Sequence, residues 1–324
     1  MSFWRCGMKA AIINQYGDSN ELSVVDDYVN PTITDNQVLI KTYATSVNPI
    51  DYKARQGALK SMFNWQFPVV LGWDIAGIVV EIGDDVTDFT VGDRVFARPD
   101  MDDTGAFGSY ATLMAVNADK VALMPETMSF AEAAALPLAG ETALQMLNEL
   151  HVTPGSKVLI QAGAGGVGIV AIQLAKALGA TVATTAGPEN ATFVRHLGAD
   201  IVIDYHQKAI TDVISQYDAV LDSVGDIDAG LAVLAHGGRI VTISAKPTSE
   251  QLAAAAANDQ TLLAGWLQPN GQDLAKLAAY YQNDALKIVI DSKFPFTTAG
   301  VRAAHERIES HHARGKVVIE MVAE

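Results

Sequence analysis

Two hydrophobic rhythms divide the chain. From residue 8 to 125 the apolar positions fall in short β-branched runs, MKAAIINQY, LSVVDDYV, QVLIKTYATSV, VVLGWDIAGIVVEIG, DRVFA and SYATLMAV, bounded by Gly, Asp, Asn and Pro. Gly72, Gly77, Gly83 and Gly92 punctuate them at turn-like spacings. This pattern predicts a β-rich domain, a distorted barrel. At Met128 the texture changes to SFAEAAALPLAGETALQML, a helical stretch with Ser129 at an N-cap position and Glu132 three residues on, the spacing of a capping box.

From residue 157 strands and helices alternate. KVLIQAG, TVATTA, IVIDY, AVLDSV, RIVTIS and QTLLAGW read as strands, and GVGIVAIQLAKALG, ENATFVRHLG, QKAITDVISQ, DIDAGLAVLAHGG and SEQLAAAAAND as the helices between them. The strands are nearly continuous apolar runs, as expected when both sheet faces are covered. Six strands joined by single helices predict an α/β fold, a doubly wound parallel sheet of the Rossmann kind. After Trp266 come a helical GQDLAKLAAYY, the run KIVIDSKFPF, a helical AGVRAAHERIESH and a final strand, GKVVIEMV, with no place among the six. The economical expectation is that this tail returns to the first domain.

A length of 324 residues gives room for two domains, and 49% hydrophobic with 18% charged residues is ordinary for a folded chain. The net charge of −15 repels phosphate backbones and anionic lipid, which argues against nucleic-acid and membrane partners. No apolar run approaches the roughly 18 residues of a membrane span. MSFWRCG has no hydrophobic signal segment, so the cytoplasm is the expected location, and residues 1–7 read as an extension or alternative start. The one cysteine, Cys6, excludes an intramolecular disulfide and a thiolate-dominated zinc site.

The loop Gly163-Ala-Gly165-Gly-Val-Gly168 is a GxGxxG that follows a strand and opens a helix, the context a dinucleotide fingerprint requires. Glycine there lets backbone N–H groups approach a pyrophosphate, and the helix start adds unpaired N–H groups and a positive dipole end. The competing reading is a close helix–strand turn without ligand. An NAD site carries an acid at the end of the second strand; TVATTA ends without one, and the next acid, Glu189, lies in the following helical stretch. That favours NADPH over NADH, although Arg195 reads as a surface charge.

AGAGGVG after a strand, Pro137-Leu-Ala-Gly-Glu-Thr142-Ala, Asn48-Pro-Ile-Asp51 and FPVVLGWDIAGIVVEIG…VGDRVFA together resemble the medium-chain dehydrogenase/reductase superfamily, in its zinc-independent quinone oxidoreductase branch, from Met8 to the terminal GKVVI. The resemblance implies a GroES-like β-rich catalytic domain over 1–125 and 270–324 and a Rossmann NAD(P)-binding domain over 126–269. It also implies NADPH as cofactor and a homodimer built through the last Rossmann strand, near QTLLAGW. Zinc relatives carry a Cys in the segment that reads NPIDYK here, a Gly-His-Glu at Gly72-Trp73-Asp74 and a four-cysteine lobe. None of these cysteines is present, so no zinc is expected and Lewis-acid activation of an alcohol is not available.

By the same resemblance, Asn48 belongs near the nicotinamide ribose or the acceptor and Thr142 near the nicotinamide. Gly163, Gly165, Gly166 and Val167 belong at the pyrophosphate. Thr184 or Thr185 and Tyr205 belong at the adenosine ribose and 2′-phosphate, and Ser223 and Ser244 along the cofactor cleft. The branch's Lys after the second strand is missing from Gly187-Pro-Glu-Asn-Ala191.

The chemistry expected is hydride transfer to a small molecule, a quinone or activated enone, whose oxygen gains negative charge. Asn48 and Tyr52 are the candidate donors, with Asp51 orienting a neighbour; Tyr52 otherwise packs. No general acid stands out, and water or the cofactor ribose could deliver the proton. His305, His311 and His312 lack HExxH spacing and read as a solvated helix face. Phe63, Trp65 and Phe67 either wall the acceptor pocket or pack the β domain. Two alternatives stand beside the quinone/enone reductase: a 2-enoyl thioester reductase of the same superfamily, and a non-catalytic NADPH-binding protein like lens and vesicle relatives.

Overall fold

A computed structural model describes residues 7–100 and 103–322. Cys6 and the start of the N-terminal extension lie outside them. The chain forms two compact units. Of the described residues, one holds those up to 138, 269–279 and those from 288 on; the other holds 139–268 and 280–287.

The first unit opens with strands β1 (Met8–Ile13), β2 (Ser23–Tyr28) and β3 (Gln37–Val47), a short helix α1 (Pro49–Arg55), then β4 (Val69–Val70), β5 (Ile75–Ile82), β6 (Arg94–Ala97), β7 (Leu113–Asn117) and β8 (Val121–Leu123). Helices α2 (Phe130–Ala134) and α3 (Pro137–Glu149) follow, α2 with the expected capping box of Ser129 and Glu132. The run VVLGWDIAGIVVEIG is two strands rather than one, because Gly72 takes a positive φ of 103° between them. The sequence reading also passed over α1. Its signal is local: Asn48 at the N-cap, Pro49 at the first helical position and Asp51 completing a capping box.

The second unit continues with β9 (Lys157–Ile160), α4 (Gly166–Ala177), β10 (Thr181–Thr185), α5 (Ala191–His196), β11 (Ile201–Ile203), β12 (Tyr217–Asp222), α6 (Ile227–Val233), β13 (Leu234–Thr242), α7 (Ser249–Ala257) and β14 (Thr261–Ala264). These strands make a parallel six-stranded sheet in the order β11-β10-β9-β12-β13-β14, the doubly wound 3-2-1-4-5-6 arrangement. Its core is the buried apolar set of Leu159, Ala183, Val220, Ile240 and their neighbours.

One expected helix is absent. QKAITDVISQ forms only a 3₁₀ turn, Ile210–Asp212. Ile210, Thr211, Val213 and Ile214 are β-branched and stiff at χ1, and Ala209 offers no capping side chain, so the segment reaches β12 as an exposed loop anchored by the buried Ile210 and Ile214. The helix in DIDAGLAVLAHGG stops at Val233, and AHGG belongs to β13.

Helix α8 (Gly271–Gln282), β15 (Ile290–Pro295), α9 (Thr298–Glu309) and β16 (Lys316–Glu320) complete the chain. Strand β16 inserts between β15 and β3 in a sheet ordered β15-β16-β3-β5-β6-β8, with β7 also on β3; β2-β1-β4 form a separate sheet. The terminal strand is thus a central strand of the first unit's main sheet, which explains why Val317, Val318 and Ile319 are fully buried.

Candidate active site

Two polar sites stand out, one in each unit. In the second unit the glycine loop joins β9 to α4. Gly165 is the N-cap of α4 and supplies no side-chain cap, so the first-turn N–H groups of Gly166 and Val167 face outward without one. The three motif glycines are not equivalent. A Cβ on Gly163 would overlap the Thr184 hydroxyl and lie 2.9 Å from Ile172 Cδ1, and one on Gly168 would press on the loop backbone, 2.7 Å from Gly163 Cα. A Cβ on Gly165 would meet only the Ala162 carbonyl, at 3.3 Å. Internal packing therefore accounts for Gly163 and Gly168, whereas a Cβ at Gly165 would press on one carbonyl alone and is otherwise unobstructed. That open position above an uncapped helix start fits a dinucleotide pyrophosphate.

The residues behind the loop build it. Thr184 is fully buried and its hydroxyl donates to the Ile160 carbonyl at 2.5 Å; the Thr185 hydroxyl accepts from the Ala162 N–H at 2.8 Å. Of the two threonines expected at the adenosine ribose, Thr184 or Thr185, each hydroxyl makes one hydrogen bond inside the unit. Tyr205 is exposed and packs its ring against His206, with centroids 4.1 Å apart. Ser223 Oγ donates to the Gln161 carbonyl at 2.8 Å, and Ser244 Oγ to the Ser223 carbonyl at 2.5 Å, which ties the ends of β9, β12 and β13 together. Thr142 is buried on α3. Asp222 is a further residue that the sequence reading missed. Its Oδ1 accepts from the N–H groups of Val224, Gly225 and Asp226 at 2.9, 2.8 and 3.3 Å, and so folds the turn that carries Ser223.

In the first unit, Asn48, Asp51, Asp74 and Lys316 are all buried together. Asp51 caps α1: its Oδ2 accepts the Asn48 N–H at 2.5 Å. Burial pushes the Asp51 carboxyl up to about 8, and the nearby Asp74 charge adds to the rise. Tyr110 beside it counters part of that, without a hydrogen bond of ordinary geometry, and Asp51 Oδ1 has no partner among the described residues. Asp74 is saturated. Its Oδ2 accepts from the Ser46 hydroxyl, from Asn48 Nδ2 at 2.7 Å and from Lys316 Nζ at 3.3 Å; its Oδ1 accepts the Leu138 N–H at 2.7 Å.

Tyr52 is set differently. Its ring meets His311 edge-on at 6.3 Å, and burial together with the Glu309 charge raises its hydroxyl above the usual range. The structure brings Asn48 and Asp51 together and gives Tyr52 no bond to either. Phe63 and Trp65 stack at 5.2 Å and belong to the apolar core of the first unit, whereas Phe67 packs edge-on against Tyr16. His305 is not part of a solvated face: it is fully buried between Arg55 and Tyr110.

The donor set does not fit a divalent cation. Trp73 is packed in the core, both Asp74 oxygens are engaged, and an ammonium already lies against Asp74 and Asn48. Among the described residues, no cluster of three His, Cys, Asp or Glu side chains is arranged to hold a metal, and no helix is long and apolar enough to cross a membrane.

Comparison with known proteins places the chain. A family model described as an alcohol dehydrogenase GroES-like domain matches residues 34–126, and one described as a zinc-binding dehydrogenase matches 197–319. The chain is similar to the NADPH-dependent alkenal/one oxidoreductase of Arabidopsis thaliana and to the 2-methylene-furan-3-one reductase of Solanum lycopersicum. Each is 38% identical over 96% of this chain and 79% of the relative. Among solved structures it resembles the quinone oxidoreductase from Coxiella burnetii, with 37% identity, a TM-score of 0.88, and 97% and 99% of the two chains covered. The fold is that of a dinucleotide-dependent dehydrogenase/reductase. The chain belongs to the medium-chain dehydrogenase/reductase superfamily, in its quinone oxidoreductase branch.

Proposed function

We propose that this protein is a zinc-independent, NADPH-dependent oxidoreductase that reduces activated enones, with quinones as a second acceptor class. The observation that carries the nucleotide is the open Gly165 position over the uncapped start of α4. The absence of a carboxylate at the end of β10, where Thr185 is followed by Ala186 and Gly187, favours a 2′-phosphate. The enone preference is supported by the names of the Arabidopsis and tomato relatives, and quinones by that of the Coxiella structure. The 2-enoyl thioester and non-catalytic readings have no comparable support.

When bound, NADPH supplies a hydride to an electron-poor carbon of the acceptor. The protein's own part is to bind and to stabilise charge. Gly166 and Val167 receive the pyrophosphate on backbone N–H groups, and Gly165, whose own N–H is held by the Ala162 carbonyl, lets it approach. Thr142, Ser223, Ser244 and Tyr205 are assigned to the cofactor's binding surface. Asn48 is the donor to the acceptor's oxygen as that oxygen gains charge, and Asp51 fixes the turn that presents Asn48. Solvent supplies the proton that completes reduction. The GroES-like unit is the catalytic domain and the Rossmann unit the cofactor domain.

We place the protein in the cytoplasm and read it as a homodimer. The dimer reading is supported by β14, an edge strand of its sheet with exposed Trp266 just beyond it. Sedimentation equilibrium tests it, and a monomer at micromolar concentration ends it. Function is tested by titrating NADPH and NADH by nicotinamide fluorescence, then adding trans-2-hexenal and, separately, 9,10-phenanthrenequinone. Tight NADPH binding with oxidation by the alkenal is expected. Binding with neither acceptor reduced would favour a non-catalytic protein, and a preference for NADH would overturn the cofactor assignment.

A further inference from the structure

The reaction as outlined gives the buried ammonium of Lys316 no task. Lys316 is delivered to the first unit's polar site by strand register. β16 pairs antiparallel with β3, Val317 opposite Val47, so the next pair in that register is Lys316 opposite Asn48. β3 pairs with β5, Ala44 opposite Ala76, and continuing that register sets Asp74 opposite Ser46. Gly315 precedes Lys316 with φ of 97°, and a Cβ there would fall on the Val289 carbonyl, so the chain can enter β16 at this angle only through glycine.

At the end of this path Lys316 Nζ meets Asn48 Oδ1 and lies 3.3 Å from Asp74 Oδ2. A lysine ammonium has donors only and a carboxylate accepts only. Chemistry therefore decides which way the Asn48 amide faces: its oxygen turns to Lys316 and its Nδ2 to Asp74, at 2.7 Å. One Nδ2 hydrogen is used in this way, and the second has no partner among the described residues. A buried ion pair is costly, and an apolar pair of the same volume is often at least as stable, so packing alone does not account for a lysine here.

We propose that Lys316 is a positioning residue for the hydride acceptor: it locks the Asn48 amide in the orientation that leaves an N–H, rather than a carbonyl oxygen, for the acceptor's oxygen. Turned through half a rotation, the same amide would present a lone pair to an oxygen that is gaining negative charge. The inference rests on Asn48 serving as the acceptor's donor.

The test is a double-mutant cycle on alkenal reduction with NADPH. Lys316→Met is expected to lower kcat by about 100-fold, the scale of a misplaced catalytic group, with NADPH affinity unchanged. Lys316→Arg should recover most of that loss. In an Asn48→Ala background, Lys316→Met should cost nothing further, because the lysine acts through the amide. Should Lys316→Met fail to fold with Asp74 left unpaired, Lys316→Met/Asp74→Asn removes both charges and is expected to show the same kcat loss. A wild-type kcat in Lys316→Met or in Lys316→Met/Asp74→Asn, or an undiminished effect of Lys316→Met in the Asn48→Ala background, would overturn the proposal and leave the function standing. Full activity of Asn48→Ala would instead remove the assignment of Asn48 itself, and the role of Lys316 with it.

Discussion

His305 turns its Nδ1 to Arg55 Nη1 at 3.1 Å and its Nε2 to the Tyr110 hydroxyl at 3.2 Å. Arginine can only donate, so Nδ1 accepts and the ring's proton sits on Nε2, which donates to Tyr110. The neutral ring is thus held between a permanent cation and a phenol, and Arg55 in turn pairs with Glu309 at 2.5 Å. Burial, reinforced by the Arg55 charge, lowers His305 to about 3. A folded-state value below the unfolded one means that the unfolded chain takes up the proton first. The stabilising contribution is complete above the unfolded value of 6.5 and is lost as pH falls toward 3. His305→Gln, which keeps a donor and an acceptor, should flatten the fall in urea midpoint between pH 6.5 and 4. A slope equal to wild type would mean that His305 does not resist protonation in the fold.

Asp51 acts in the opposite sense. Its carboxyl is raised from 3.8 to about 8, so the folded protein holds a proton that the unfolded chain has released. The associated stability is full below pH 3.8 and is lost as pH rises through about 8. Asp51→Asn keeps an acceptor for the Asn48 N–H without the titration. The variant should therefore gain on wild type as pH rises, trailing or matching it at pH 5 and exceeding it at pH 9. Thermal melts of both proteins at these two values decide the matter; an unchanged gap would place the Asp51 proton elsewhere.

The glycine loop separates packing from binding within one motif. Gly163→Ala and Gly168→Ala force atoms into occupied space and should destabilise by about 1–3 kcal/mol. Gly165→Leu meets only the Ala162 carbonyl, at 3.3 Å, and should lose less denaturant stability than either, yet raise the NADPH dissociation constant at least tenfold. Retained affinity in Gly165→Leu would sink the pyrophosphate cradle, whereas a collapse in its stability would show the middle glycine to be structural as well.

How much of this was legible in the sequence depended on the range of each interaction. The glycine loop, the six-strand alternation and the Ser129–Glu132 cap are set by residues within a few positions of one another, and spacing alone exposed them. The Asn48-Pro-Ile-Asp51 cap is equally local. The Lys316–Asn48 contact joins residues 268 positions apart and exists only because β16 inserts next to β3. No periodicity reports that. His305 misled for a related reason: on α9 it looks like one more polar residue, and its burial follows from the α1 and Tyr110 side chains that pack on it. QKAITDVISQ failed as a helix because apolar spacing matched a helical period while the β-branched residues that created the match disfavour helix.

Asp222 gives the last prediction. It ends β12, and its Oδ1 gathers three successive N–H groups that would otherwise need partners at the foot of the turn. The turn carries Ser223, whose carbonyl is in turn held by Ser244, so the shape of the ends of three adjacent strands depends on one carboxyl. Asp222→Ala strips the acceptor from this turn and should cost about 1–3 kcal/mol of denaturant stability. It should also weaken NADPH binding, because ligands of doubly wound sheets lie at the carboxyl ends of the strands. Asp222→Asn retains a carbonyl oxygen in the same place and should preserve most of both. Equal damage from the two substitutions would show that the turn depends on the negative charge of Asp222 rather than on the oxygen that its N–H groups share.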